Sequence, residues 1–168
     1  MMINKKQSFK IITMILAAAF STLPLTLQAQ HDAELFESVR SSDHYSLKTM
    51  IADGMDINQA DKSQNTPLMV AAKIGDRLVV ETLLANEADP NSTNSAGATA
   101  LMIAAKYGHN HVIEKLLMHN ADPLIRNNHG IRASRFATAY GHEKTYSLLL
   151  DAENDALKGE EELTKTTS

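Results

Sequence analysis

Between residues 66 and 90 the apolar positions form two short stripes of helical period. Leu68, Ala71 and Ala72 recur at the spacing of one helix face, and Val79, Val80, Leu83 and Leu84 form a second stripe after a break at Gly75. Thr66 is a good N-cap and Pro67 a good first helical residue, because its fixed φ suits that place and its missing N–H is not needed there. Gly75 suits a left-handed helix end, and Ala88, Asp89 and Pro90 supply turn chemistry. The stretch therefore predicts a helix, a tight turn, a second helix and a closing turn.

The phrase TPLMVAAKIGD, residues 66–76, returns 33 residues later as TALMIAAKYGH, residues 99–109. The rest of the unit returns with it: Thr99, Leu101, Ala104, Ala105, Gly108, Val112, Ile113, Leu116, Leu117, Ala121, Asp122 and Pro123 hold the corresponding places. A weaker copy follows, keeping Ala137, Gly141, His142, Leu149 and Leu150, with Arg132 and Arg135 in place of Thr and Met. Another precedes, with Leu35, Leu47, Met50, Ile51, Met55, Asp56 and Asn58 but no Thr-Pro cap. A fixed period of this length marks stacked units, none able to bury its own apolar face, with atypical units at the ends. The predicted fold is all-α: a solenoid of about four helix-turn-helix units, near 30–60, 61–93, 94–126 and 127–155. Residues 156–168, ALKGEEELTKTTS, lack an apolar period and read as a flexible acidic tail.

These phrases resemble the ankyrin repeat, whose usual form is G-x-TPLH-x-AA-x-x-GH, then V-x-x-LL, then GADPN or GADVN. Here it runs TPLMVAAKIGD, VVETLL and EADPN, then GATALMIAAKYGH, VIEKLL and NADP. The resemblance spans roughly residues 31–155. It departs from the family at Met69 and Met102, where the usual phrase has a His that ties neighbouring turns by hydrogen bonds; apolar packing is expected to replace part of that tie. The resemblance also implies a concave, partner-facing surface made of inner-helix ends and turn tips. Carried onto this sequence, the tips are Lys62, Ser63 and Asn65, then Ser95, Ala96 and Ala98, then Asn128, His129 and Ile131. The helix ends give one column of Arg40, Lys73 and Lys106 and another of Ile74, Tyr107 and Tyr140. The implied function is protein binding, by a positive stripe beside an apolar strip that suits an acidic patch on the partner.

The first residues stand apart. Lys5, Lys6 and Lys10 lead into IITMILAAAF, with uncharged residues onward to Ala29. A basic start, an apolar run and a small residue at a cut site describe a secretory signal peptide over residues 1–29, and hence a periplasmic protein. An uncleaved membrane tether is the alternative, weakened by Pro24 and by the polar Ser21, Thr22 and Thr26. Loss of Lys5, Lys6 and Lys10 moves the formal charge from −4 to −7, which favours solubility as a monomer and argues against nucleic acid. The chain has no Cys, so no disulfide supports the fold and no lipidated cysteine anchors it.

Catalytic chemistry finds little foothold. There is no GxSxG, no HExxH, no P-loop and no GxGxxG, and no cofactor is expected. His109 and His142 share a column at the start of the outer helix, where a turn-stabilising role is expected. His109, His111 and His119 lie near one another in sequence, so a carrier of haem or metal through His109, His111, Met102 or Tyr107 is the alternative to protein binding. The reading is an exported, non-catalytic module that stabilises, delivers or inhibits a periplasmic enzyme.

Overall fold

Capping chemistry sets the helix ends. The Thr66 hydroxyl accepts the Met69 N–H at 3.4 Å and the Thr99 hydroxyl the Met102 N–H at 3.3 Å. Asp76 accepts the N–H groups of Leu78 and Val79 at 2.9 and 3.1 Å. The computed structural model describes residues 32–166, so the predicted signal segment 1–29 lies outside the described residues. In chain order the helices are α1 (32–40), α2 (His44–Ala52), α3 (Pro67–Ile74), α4 (Arg77–Ala85), α5 (Ala100–Tyr107), α6 (Asn110–Met118), α7 (Ala133–Ala139) and α8 (Glu143–Thr166). From Leu35 onward the described residues form one compact unit.

Helices α3, α5 and α7 pack in succession as an inner layer, and α2, α4, α6 and α8 as an outer layer. Ala71, Ala72, Ala104 and Ala105 are fully buried and let the inner helices approach closely. Val79, Val80, Leu83, Val112, Ile113 and Leu116 fill the space behind them. Met69 and Met102 are buried in the same core, taking up the apolar role expected where the family has His.

Polar side chains lace each repeat to the next. Asn58 accepts the Asp89 N–H at 2.8 Å and donates to the Glu87 carbonyl at 3.1 Å. Asn91 repeats both bonds with the Asp122 N–H and the Asn120 carbonyl. On the outer layer, Lys115 pairs with Glu81 at 2.8 Å and the Thr145 hydroxyl donates to Asn110 at 2.5 Å. His109 and His142 bear on turns as expected, but on those of the preceding repeat. Each Nε2 reaches back to the preceding repeat, to the carbonyls of Lys73 at 3.2 Å and Lys106 at 3.1 Å. Their rings lie over Gly75 and Gly108, where a Cβ would come within 2.6 and 2.7 Å of a ring atom. These glycines thus serve twice, allowing φ of 83° and 70° and making room for the neighbour.

The terminal repeat is closed by other means. Arg132, standing where the central repeats have Thr, pairs with the buried Glu153 at 3.3 Å. Helix α8 also corrects the expected tail, since it continues to Thr166. Residues 156–166 contain Ala, Leu, Lys and Glu, which sustain a helix without an apolar period, and Lys158 pairs with Asp155 at 3.4 Å.

Two outcomes test this account. Glu87 has φ of 69°, in the position where the usual family phrase has Gly. A left-handed residue with a Cβ costs about 1–2 kcal/mol, and glycine gives back roughly 0.5–1 kcal/mol through its looser unfolded chain. Glu87→Gly is therefore expected to stabilise the protein by about 0.5–1 kcal/mol in urea denaturation; an unchanged or lower midpoint contradicts the assignment.

The second concerns Asp76. Partial burial pushes its carboxyl up, but the Ser42 hydroxyl, the Val79 N–H, His44 and the Leu78 N–H outweigh this and hold it below its ordinary 3.8. A depressed carboxyl stabilises the fold fully above the unfolded value and loses that contribution as pH falls through the folded one. Asp76→Ala is expected to cost about 1 kcal/mol at pH 7 through the lost cap. The gap from the parent should narrow below pH 3.8, and a gap independent of pH would assign the loss to packing alone.

Candidate functional site

The ends of α3 and α5 each carry a cation followed by a large apolar residue, whereas α7 ends on Ala139. Lys73 and Ile74 close α3, and Lys106 and Tyr107 close α5. Because the inner helices stack in register, equal positions in the repeat become neighbours in space. Arg40 and Lys73 of the first predicted column and Ile74 and Tyr107 of the second line one groove of about 510 Å³, while Lys106 and Tyr140 are not among its lining residues. Lys106 sits further along, its Nζ 5.9 Å from the Tyr107 ring centre and 5.2 Å from that of Tyr140. The rings stay 42% and 53% exposed, so this cation is held between two aromatic faces that still meet solvent.

The cations differ in their freedom. Arg40 lies over the Phe36 ring at 5.7 Å and beside Glu37 at 3.8 Å; an exposed pair of this length contributes little. Among the described residues no carboxylate pairs with Lys73 or Lys106.

Two parts of the groove are not among the binding residues singled out from the sequence: its apolar floor, formed by Met69, Val70 and Ile103, and Asp61, which also lines it. Helical arithmetic gives a signal for the floor. Val70 lies four residues before Ile74, and Ile103 four before Tyr107, so each shares a face with a residue already singled out. Asp61 is answered locally. Its Oδ1 accepts the Ser63 N–H at 2.8 Å and the Asn65 N–H at 2.9 Å, and its Oδ2 accepts from the Asn65 amide at 3.1 Å. Partial burial pushes this carboxyl up, but the Asn65 and Ser63 donors, with Arg40, hold it below its ordinary value.

The turn tips repeat that geometry. Asn94 accepts the N–H groups of Ala96 and Ala98, and Asn127 those of His129 and Ile131, all at 3.0 Å. Lys62, Ser63, Ser95, Ala96, Asn128 and His129 are exposed, while Asn65, Ala98 and Ile131 are half-buried. Several tip groups are already engaged with the next tip. Ser95 donates its N–H and its hydroxyl to the Ser63 carbonyl at 3.0 and 2.9 Å, and Asn128 donates its amide to the Ser95 carbonyl at 3.0 Å. These residues fix the surface as well as form it.

The histidines considered as ligands are engaged with backbone. His111 Nε2 lies 3.0 Å from the Gly75 carbonyl and His109 Nε2 3.2 Å from that of Lys73, and the His109 ring stacks on Tyr107 with centres 6.1 Å apart. Met102 is buried in the core, away from solvent. Among the described residues no helix is long and apolar enough to cross a membrane.

A family profile described as ankyrin repeats (3 copies) matches residues 35–127 and again 68–159. No curated protein matches the chain. The matched span contains all the repeats and every cation of the groove, and the two-layer helical stack is the architecture that such repeats build. The chain belongs to the ankyrin repeat family, whose members are generally non-catalytic modules that bind other proteins.

Proposed function

We propose that this protein is exported to the periplasm, loses residues 1–29, and acts there as a monomeric, non-catalytic scaffold that holds another protein on its concave, inner-helix face. Lys5, Lys6, Lys10 and the apolar run after them support export. The placement of Lys73 and Lys106 at equal positions on adjacent inner helices carries the binding reading. Both lack a carboxylate partner among the described residues, and both stand beside exposed Ile74, Tyr107 and Tyr140. Such a strip suits a partner with an acidic patch, because the local positive charge on an otherwise acidic molecule orients the encounter. The partner is an enzyme of that compartment, which the scaffold stabilises, delivers or inhibits.

The physical advantage lies in preorganisation. The tips are bonded to one another, and α2, α3, α4 and α5 carry side-chain caps at their N-termini, so few backbone degrees of freedom remain to be lost on binding. Specificity then comes from the few side chains that project from a fixed frame.

Lys73→Glu combined with Lys106→Glu is expected to weaken capture of the partner from a periplasmic extract by about tenfold or more. Helix content should not change, and stability should stay within roughly 0.5 kcal/mol of the parent. Undiminished capture would reduce the two lysines to solubilising charges. N-terminal sequencing of the mature protein should begin near Gln30, whereas an intact Met1 would indicate the membrane-tethered form.

A further inference from the structure

The groove has more chemical character than a positive stripe. Its floor of Met69, Val70 and Ile103 is apolar, and Arg40, at the end of α1, and Lys73, at the end of α3, both line it. Its volume of about 510 Å³ falls within the range of roughly 300–1,000 Å³ typical of pockets that enclose small organic groups. Asp61, the one acid among its lining residues, already receives donors from Ser63 and Asn65 and the field of Arg40. The charge left for an incoming group is therefore cationic, carried by Arg40 and Lys73 beside an apolar floor.

Geometry limits what can use both. Packed helices lie about 8–10 Å apart, and an extended chain advances about 3.3 Å per residue. Two carboxylates about two to three residues apart, with the reach of their own side chains, would therefore meet the two cations, with an apolar side chain between them turned to the floor. A basic segment would meet like charge from both sides, and an uncharged one would leave the cations without new partners.

Resting on the binding reading above, we infer that this groove takes a short extended segment of the partner, in which one bulky apolar residue is bracketed by two acidic ones. The apolar side chain lies on Met69, Val70 and Ile103, one carboxylate meets Arg40, and the other meets Lys73. Tyr107 borders the apolar residue.

The test uses the full purified chain and a phage-displayed library of random seven-residue peptides. The parent protein should enrich peptides with a bulky apolar residue flanked on both sides by Asp or Glu. Lys73→Glu, at an exposed site, should change one flank to Lys or Arg. A synthetic peptide of the parent consensus should bind Lys73→Glu and Arg40→Gln at least about tenfold more weakly, with circular dichroism unchanged. A basic or uncharged consensus, no enrichment, or a consensus indifferent to Lys73→Glu overturns the inference. Capture of the native partner, measured in parallel, separates the two levels. If that capture depends on Lys73 and Lys106 while the peptides show no acidic flanks, only the segment chemistry fails. If it does not depend on them, the wider reading fails as well.

Discussion

Every feature of this protein depends on a mismatch between the unit and its surroundings: one helical hairpin has more apolar surface than it can cover by itself. Ala71 and Ala72 lie at the contact between α3 and its neighbours, and Ala104 and Ala105 repeat the arrangement in α5. Burial of such surface is favourable only when a second hairpin supplies the other wall, at roughly 25 cal/mol per Å² removed from water. With no Cys anywhere in the chain, no covalent link holds one unit to the next. Stacking, together with the hydrogen bonds that cross from unit to unit, carries the fold.

The same dependence produces the surface. Residues at equal places in successive repeats are brought side by side because the hairpins must lie in register to share a core. Arg40, Lys73 and Tyr107, far apart in sequence, border one groove for that reason. The bonds among the tips, such as Ser95 to Ser63 and Asn128 to Ser95, hold the frame from which those side chains project. Packing and recognition are therefore not separate layers of design here. A change that loosens the stack also moves the groove.

Much of the fold can be read directly from residues whose chemistry is local. Thr66 and Thr99 cap helices, Gly75 and Gly108 end them, and the valine and leucine stripes face inward, all within the range over which periodicity is informative. Contacts that cross between units are harder to read. The reach of His109 back to Lys73 spans 36 residues, and neither helical period nor turn propensity encodes it. Arg40 and Lys73 of the predicted cation column line the groove and Lys106 does not, and the floor of Met69, Val70 and Ile103 emerges only when neighbouring helices are set side by side. Helix α8 outran its expected end because the sequence after 155 favours a helix without carrying an apolar period. The pairing of Arg132 with Glu153 was hidden for a related reason: two charges of opposite sign in separate elements give no periodic signature.

One detail bears on how such an array could be lengthened. The glycines closing α3 and α5 are each covered by the imidazole of the following unit, but Gly141, at the equivalent place after α7, has open space where a Cβ would point. Leucines at a matching position show the same gradation, from Leu84 at 5% exposed to Leu150 at 37%. The last hairpin thus retains an unfilled socket for a successor. Grafting one more unit after it, with a histidine in the register of His109 and His142, would extend the array by a rule the molecule already follows twice.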